Sequence, residues 1–213
     1  MLKGTLIAAF LARNSVHLFS DGRLINIVTG QVYNDHSKVH KLSERCGLLV
    51  AGAYMPSLPK TVSKIATERG TPYVEQVAPI VRQEMEATWR LLGERVSPDR
   101  FSQVRAFAFV AGFDSLNRHH LFYIDDRSKP PFHLQERPLF IGGNDLEIGA
   151  LSTGSGKLEN PSGMLTAEIQ ARLPVRTSLY QLLLASFDGV KNALASQYES
   201  IGGDTFCLIF NKE

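Results

Sequence analysis

The sequence has few cysteines, no large excess of charge of one sign and no long apolar run. Its two cysteines, Cys46 and Cys207, lie in apolar, strand-like stretches, which favours buried free thiols over a disulfide. Basic residues number 23 and acidic residues 21, and no dense basic run suggests nucleic-acid binding. No stretch is long and apolar enough to span a bilayer, and residues 1–4 do not resemble a secretory signal. These absences predict a cytoplasmic protein with no membrane or nucleic-acid partner.

Several common chemical motifs are also missing. A phosphate-binding loop needs a glycine five residues before its Gly-Lys pair and Ser or Thr after the pair. Around Gly156-Lys157 those two positions hold Leu151 and Leu158. There is no dinucleotide fingerprint after the first predicted strand and no nucleophile elbow of the G-x-S-x-G type. Because His119-His120 are adjacent, they should point to opposite faces of a strand, which argues against a shared metal site. The sequence therefore indicates no cofactor and no metal ion.

The order of predicted elements favours an α+β domain. The predicted strands are Thr5 to Ala12, Val16 to Asp21, Leu24 to Val28, Gln31 to Tyr33, Ser37 to Leu42, Gly47 to Ala53, Val104 to Phe113, Leu121 to Asp125, Phe132 to Ile141 and Thr205 to Phe210. The predicted helices are Pro59 to Arg69, Thr71 to Gly93, Asn144 to Leu151, Leu165 to Leu173 and Leu179 to Ser196. Runs of strands separated by runs of helices are typical of a layered α+β domain. No boundary or repeat is visible, so residues 1–213 are predicted to form a single domain.

Three local patterns give more specific expectations. Thr71-Pro72 has the form of an N-cap followed by a first-turn proline, and Pro79 should kink the helix or leave a weak turn. The polar, glycine-rich stretch Ser152 to Gly163 is predicted to be a loop. Asp125-Asp126, at the end of a strand, is expected to be a solvated turn.

Gly4-Thr5, at the start of the first strand, is the main candidate for chemistry. If the bond between these residues were cut, Thr5 would carry a free amine beside its own hydroxyl, pairing a nucleophile with a base. The alternative is that Thr5 is a β-branched residue that opens a strand. From these two residues alone the alternative is the simpler interpretation.

Three further residues fall in register behind Thr5. Asp21 follows 16 positions later, Lys38 opens the run Lys-Val-His-Lys-Leu, and Gly52 lies 14 positions beyond Lys38 in an Ala-Gly-Ala run. This pattern resembles the β-type subunits of the proteasome and their bacterial relatives, which are N-terminal-threonine peptidases of the Ntn-hydrolase class. That family frees its threonine by cutting a Gly–Thr bond. Its lysine lies one residue earlier than Lys38, a difference that an insertion in the preceding turn could absorb.

The resemblance implies a role for each of these residues. Thr5 would be the nucleophile, exposed by cleavage after Gly4, with residues 1–4 as a short propeptide. Lys38 would lower the proton affinity of the hydroxyl, and Asp21 would hold Lys38 charged and in place. The backbone N–H of Gly52 would face the developing oxyanion. For Asp21 and Lys38 the alternative is an ordinary, partly buried ion pair.

A serine that the family adds to this site has two possible positions here. In the family it lies in a Gly-Ser-Gly turn before the third helix. By the predicted element order that turn falls at Gly142-Gly143, which contains no serine. Ser155, between Gly154 and Gly156, matches the letters but follows an extra segment. Position favours Gly143, and Ser155 is the candidate catalytic serine that remains.

The family also has an aspartate and a serine just before the glycine pair of its last strand. Here Tyr198 replaces the aspartate and Ile201 replaces the serine. Glu199 or Ser200 could substitute for them. The outer part of the site is therefore altered relative to the family.

The resemblance finally implies an architecture and a function. It implies a four-layer α-β-β-α sandwich and a peptidase that works inside a ring or double ring of copies, on unfolded polypeptides that an ATPase partner could deliver. The residues that would line the pocket for the residue before the cut are Leu24, His40, Val50 and Tyr54. Two alternatives stay open: an amide hydrolase of small molecules on the same fold, and a ring-forming scaffold that has lost processing.

Overall fold

Two five-stranded antiparallel sheets form the centre of the fold. The computed structural model describes residues 4–25, 30–53, 55–101, 104–136, 140–142, 146–154, 161–173 and 177–212. In spatial order, the first sheet contains β10 (Phe140–Gly142), β11 (Leu146–Gly154), β1 (Gly4–Ala12), β2 (Ser15–Asp21) and β12 (Thr205–Asn211). The second contains β5 (Val39–Lys41), β6 (Cys46–Gly52), β7 (Ala106–Phe113), β8 (His119–Asp125) and β9 (Gln135–Glu136). A separate hairpin joins β3 (Leu24–Ile25) to β4 (Val32–Tyr33).

Helices cover both sheets. They are α1 (Leu58–Arg69), α2 (Val74–Arg95), the short α3 (Pro98–Phe101), α4 (Pro161–Arg172) and α5 (Leu179–Ala195). The first ends at Gly70, whose left-handed backbone (φ 62°) returns its N–H to the last turn. The fifth begins with a capping box between Ser178 and Gln181. Within the described part of the chain, no helix is long and apolar enough to cross a membrane.

Three apolar clusters show how these elements pack. One lies between the two sheets and includes Leu18, Leu49 and Phe109. A second joins the outer face of the second sheet to α1 and α2, and a third joins the outer face of the first sheet to α4 and α5. Each sheet is therefore covered by helices on one face and by the other sheet on the opposite face.

The apolar run after Thr5 is explained by the burial of β1 on both faces of its sheet. Along β1, Leu6 and Phe10 pack under the helices α4 and α5, whereas Ile7 and Leu11 pack between the sheets. Successive side chains of a strand point to opposite faces, so a strand that is covered on both faces needs apolar residues throughout. The predicted hairpin of the first two strands is confirmed, with Ile7 opposite Ser20.

The predicted single strand from Phe132 to Ile141 is wrong. The chain changes sheet in this region, because β9 pairs with β8 and β10 pairs with β11. Phe132 itself lies in a turn, with φ 58° and its N–H bonded to the Asp125 carbonyl at 2.9 Å. A residue in that left-handed conformation cannot begin a strand.

The predicted helix from Asn144 to Leu151 is also wrong, because this segment contributes to β11. The strand pairs with β1 from Gly4 opposite Gly154 to Leu11 opposite Glu147. Leu146 and Ile148 are buried with a half-buried residue between them, which is the period of a strand. The predicted loop from Ser152 to Gly163 is wrong at both ends, since β11 continues to Gly154 and α4 starts at Pro161.

The second helix differs from its prediction at both ends. It begins at Val74, with Tyr73 as N-cap, and the hydroxyl of Thr71 instead donates to the Ala66 carbonyl of α1 (3.3 Å). It continues past Gly93 to Arg95. Pro79 lies inside the helix, which continues without a break from Val74 to Arg95, so the expected weak turn is not seen.

The two cysteines are free thiols, as predicted. Cys46 is buried and Cys207 is half-buried. Burial raises the pKa of each thiol to about 12, so neither is a thiolate near neutral pH.

His17 should make the fold sensitive to mild acid. Its ring is 4% exposed, Nε2 bonds to the Ser15 hydroxyl at 2.8 Å, and Nδ1 has no partner among the described residues. Burial lowers the pKa of His17 to about 4. Because the pKa of His17 is lower in the folded chain than in the unfolded chain, protonation favours the unfolded chain. The free energy of unfolding should therefore be highest above pH 6.5 and should fall by up to about 3 kcal/mol as pH falls toward 4.

Thermal unfolding between pH 7 and 4 measures this effect. The unfolding midpoint of the wild type is expected to fall across that range, and His17→Gln should flatten the decline. The exposed His133 provides the control, since His133→Gln should leave the profile of the wild type unchanged. A His17→Gln profile that matches the wild type would contradict the assignment.

Candidate active site

Asp21, the last residue of β2, is fully buried and receives hydrogen bonds on both carboxylate oxygens. Oδ1 accepts from the Leu6 N–H at 2.9 Å and from Lys38 Nζ at 2.8 Å. Oδ2 accepts longer bonds from the backbone N–H groups of Arg23 (3.3 Å) and Gly202 (3.4 Å). The strand end thus presents one carboxylate to three separate segments of the chain.

Lys38 precedes β5, and both its backbone and its side chain are hydrogen-bonded. Its N–H donates to the Ser20 hydroxyl at 3.3 Å, and its carbonyl accepts the Val50 N–H at 3.1 Å. Its side chain is 8% exposed and ends on Asp21. Burial lowers the pKa of Lys38, with the charge of Asp21 opposing that shift. Burial likewise raises the pKa of Asp21, opposed by Lys38 and by the Leu6 and Gly202 N–H groups. The 2.8 Å contact between the two groups therefore favours the ionised form of each, against the effect of burial.

Thr5 lies one residue before the contact between β1 and Asp21. It is half-buried and sits opposite Thr153 of β11. The Leu6 N–H and Lys38 Nζ share the same oxygen of Asp21, so the lysine nitrogen is at most two hydrogen-bond lengths from the peptide that follows Thr5. The structure thus brings Thr5, Asp21 and Lys38 together at one end of the first sheet.

Gly52 ends β6 in a conformation that only glycine adopts easily. Its φ is 89°, and a Cβ would lie 2.1 Å from the Arg105 carbonyl oxygen. Successive N–H groups of a strand point to alternate edges. Because the Val50 N–H bonds to Lys38, the N–H of Gly52 points to the same edge of β6, beyond the start of β5. That direction suits a donor to a substrate carbonyl beside Lys38.

No protein-family model and no curated protein matches the sequence. Among solved structures, the crystal structure of eukaryotic HslV from Trypanosoma brucei matches with a TM-score of 0.57 and 11% identity, covering 97% of this chain and 99% of that chain. The chain has the fold of HslV. HslV is a threonine peptidase of the proteasome family, so the resemblance drawn from the residues around Thr5 is confirmed at the level of the fold. At this identity the likeness to HslV concerns the fold alone.

The residues predicted to bind substrate lie on more than one element. Val50 of β6 packs with the cluster under α1 and α2, and His40 of β5 lies opposite Leu48 of that cluster. Burial, with a smaller contribution from His36, lowers the pKa of His40 and keeps its ring neutral near pH 7. Leu24 is half-buried in the β3–β4 hairpin, and Tyr54 lies outside the described residues. Their role stays a prediction.

Ser155 and Gly143 both lie outside the described residues, but the order of elements bears on the choice between them. Gly143 precedes a strand, β11, and not the short helix expected there. Ser155 directly follows Gly154, the last residue of that strand, and the next element is α4, the third long helix. Ser155 thus precedes the third long helix in the chain, which is where the resemblance places the serine of the family, and its role stays a prediction.

The segment before β12 contains the two residues, Tyr198 and Ile201, that stand where the family pattern has an aspartate and a serine. Tyr198 and Ile201 are 2% and 0% exposed and belong to the apolar cluster under α4 and α5. Glu199 is exposed, and Ser200 is half-buried. The two replaced positions therefore contribute to the core.

Sequence reasoning missed the support of Asp21 by Arg23 and Gly202. The Arg23 guanidinium donates to Asn34 Oδ1 and to the Glu199 carbonyl, each at 3.0 Å. A Cβ on Gly202 would lie 2.9 Å from the Arg23 Cζ, so the guanidinium lies against this glycine. Gly202 is 181 positions from Asp21, and the Gly202-Gly203 pair was the one signal in the sequence that marked this turn.

The described residues hold no group of three or more His, Cys, Asp and Glu side chains placed to bind a metal ion. The neighbouring histidines have different partners. His119 Nε2 bonds to Glu147 of β11 at 3.3 Å, whereas His120 bonds to Asp114 and Glu136.

Proposed function

We propose that this chain is a threonine-type peptidase that becomes active when the bond between Gly4 and Thr5 is cut. The observation that carries the proposal is the buried Asp21 oxygen shared by Lys38 Nζ (2.8 Å) and the Leu6 N–H (2.9 Å). This oxygen ties a lysine of lowered pKa to the residue next to Thr5. The pair is therefore bonded to the residue directly after Thr5, which would carry both a free amine and a hydroxyl once the bond is cut.

The proposed reaction is acyl transfer through Thr5. Its Oγ1 attacks the carbonyl carbon of a polypeptide, and the hydroxyl proton passes to the free α-amine of Thr5, directly or through a water. Lys38 stabilises the charge that develops on Oγ1, and the Gly52 N–H donates to the oxyanion. The C–N bond then breaks, the leaving amine takes the proton, and water hydrolyses the resulting ester. Ser155 is the proposed additional polar group at the site.

The proposed assembly follows the fold. Residues 1–213 would form a single domain with a four-layer α-β-β-α sandwich, and copies of it would close into a ring or double ring. An ATPase partner would supply unfolded polypeptide, and Leu24, His40, Val50 and Tyr54 would line the pocket before the cut. The likeness to HslV and the packing of helices outside two facing sheets support this arrangement.

Two substitutions at Thr5 test the function. Thr5→Val keeps a β-branched side chain for the strand but removes the hydroxyl, and Thr5→Ser keeps the hydroxyl. Intact-mass measurement should find the wild-type chain starting at Thr5, and Thr5→Val should retain residues 1–4 and lose peptide hydrolysis. Thr5→Ser should keep both processes at a measurable rate. Hydrolysis by Thr5→Val at the wild-type rate contradicts the proposal.

A ring-forming scaffold is the second candidate. The burial of Tyr198 and Ile201, where the family has polar residues, favours it. A wild-type chain that keeps residues 1–4 and does not react with a threonine-directed electrophile would support the scaffold over the peptidase.

A further inference from the structure

A largely buried charged cluster lies behind Gly52. Arg105 donates from Nε to Asp126 Oδ1 (3.1 Å) and from Nη2 to Asp125 Oδ1 (2.9 Å). The exposed fractions of the three side chains are 25% for Arg105, 16% for Asp125 and 8% for Asp126. The guanidinium also lies over the Phe107 ring, 4.5 Å from its centre. Asp126 lies in a turn, as expected, but the expected solvation is wrong, because both carboxylates bind Arg105. We call these three residues the Arg105 cluster.

The cluster holds the residue that faces Gly52 across the sheet. The Ala106 N–H donates to Asp126 Oδ1 at 2.9 Å, and the Asp126 N–H donates to the Ala106 carbonyl at 3.1 Å. The Asp126 side chain thus replaces a backbone carbonyl and closes the ladder between β7 and β8. Ala106 lies directly opposite Gly52 in the pairing of β6 with β7. The carboxylate therefore anchors the partner of Gly52.

The backbone of Arg105 also contacts Gly52. Its carbonyl oxygen accepts the Ala53 N–H at 2.7 Å, and it would lie 2.1 Å from a Cβ on Gly52. This oxygen therefore packs directly against the Gly52 Cα and holds the peptide that follows it. If the backbone of Arg105 moved, the backbone of Gly52 would have to move with it, because the two are in direct contact.

We propose that the Arg105 cluster sets the position of the Gly52 N–H, so that Arg105, Asp125 and Asp126 are positioning residues for the oxyanion. This inference rests on the proposed peptidase function. An oxyanion donor stabilises the transition state only when it is held in place before the reaction. Charges that are largely shielded from water are costly unless they are paired, and here the paired charges lie directly behind the donor.

Substitutions in the cluster should act on turnover. Asp126→Ala and Arg105→Ala are expected to lower kcat on a peptide substrate about tenfold to hundredfold, with KM changed less than about twofold. Asp126→Asn keeps an oxygen that can accept the Ala106 N–H, so it should recover most of the rate. A residue that served stability alone would show neither the split between kcat and KM nor this rescue.

An ion pair at the far end of β7 provides the matched control. Arg118 Nε lies 2.7 Å from Asp114 Oδ2, at the turn that joins β7 to β8, roughly 23 Å from Ala106 along the strand. Arg118→Ala should leave kcat unchanged when measured below the unfolding midpoint of every variant. If Asp126→Ala lowers kcat no more than Arg118→Ala, or acts through KM alone, the positioning role is wrong.

Hydrogen exchange tests the cluster without relying on activity. Mass spectrometry of the peptide spanning residues 46–57 reports on the Ala53 N–H, which bonds to Arg105. This amide should exchange at least about tenfold faster in Asp126→Ala and at the wild-type rate in Arg118→Ala. A wild-type chain without peptidase activity would contradict the proposed function, whereas equal exchange in the two variants would overturn the positioning role.

Discussion

Replacing Lys38 with methionine is expected to destabilise the folded chain by about 3–5 kcal/mol and to abolish peptide hydrolysis. Lys38 Nζ lies 2.8 Å from Asp21 Oδ1, and the two side chains are 8% and 0% exposed. Methionine keeps much of the length of lysine but removes its charge, so the buried carboxylate loses its counter-ion. Urea unfolding followed by the fluorescence of Trp89 measures the loss of stability, and a peptide assay measures the loss of rate.

A surface ion pair on α1 gives the matched control. Lys64 Nζ lies 3.8 Å from Glu68 Oε1, with side chains 76% and 62% exposed, so Lys64→Met should change stability little. Combining Lys38→Met with Asp21→Asn removes both buried charges and should regain much of the stability without activity. The burial argument fails if Lys38→Met costs no more than Lys64→Met.

The cost of Lys38→Met should also shrink in acid. Burial raises the pKa of Asp21, and removing Lys38 takes away the largest opposing effect. A carboxyl whose pKa is higher in the folded chain than in the unfolded chain makes its most favourable contribution to stability when pH is below the unfolded pKa. That contribution is lost as pH rises through the folded pKa. The gap in stability between variant and wild type should therefore narrow as pH falls from neutrality toward 3.8.

The strands that carry Thr5, Asp21 and Gly52 are predictable from sequence because their signals are local. An uninterrupted apolar run marks β1, whose two faces are both covered, and turn residues separate it from β2. The spacing from Thr5 to Asp21 then places the carboxylate beside Leu6, as the hydrogen bond at 2.9 Å shows. Each inference needs only neighbouring residues and the period of a strand.

β11 shows where local signals fail. Asn144-Asp145 resembles a helix start, and the apolar residues that follow suit either a helix or a strand. The choice is made by β1, which pairs with β11 from Gly4 to Leu11 and buries Leu146 and Ile148 beneath α4 and α5. A partner more than a hundred residues away decides the conformation, and no local pattern reveals it.

The supports of the candidate site were hidden for the same reason. The Gly202 N–H reaches Asp21, and the Arg105 carbonyl reaches Gly52, only after the chain has folded. Motif spacing identifies residues that a reaction needs in a given order. It does not identify the backbone groups that hold those residues, because any residue supplies an N–H or a carbonyl.

Replacing Gly52 with alanine is expected to lower the rate of peptide hydrolysis at least about a hundredfold and to cost about 1–3 kcal/mol of stability. Gly52 has φ 89°, and a Cβ would lie 2.1 Å from the Arg105 carbonyl oxygen and 2.8 Å from its carbon. Since both contacts are to backbone, the backbone at Gly52 or Arg105 must shift, and we expect this shift to displace the Gly52 N–H from the oxyanion. Single-turnover acylation of Thr5 and urea unfolding measure the two effects.

A substitution at Gly70 is the control that distinguishes the effect of the steric contact from the effect of the left-handed backbone conformation. It has φ 62° at the end of α1, and a Cβ there would meet no atom within 4 Å. Gly70→Ala should therefore cost only the conformational penalty of a left-handed alanine, about 1–2 kcal/mol, and leave acylation of Thr5 unchanged. If Gly52→Ala acylates as fast as Gly70→Ala, the Gly52 N–H is not the oxyanion donor. Because only the Gly52 substitution brings a Cβ against the Arg105 backbone, Gly52→Ala should also be less stable than Gly70→Ala.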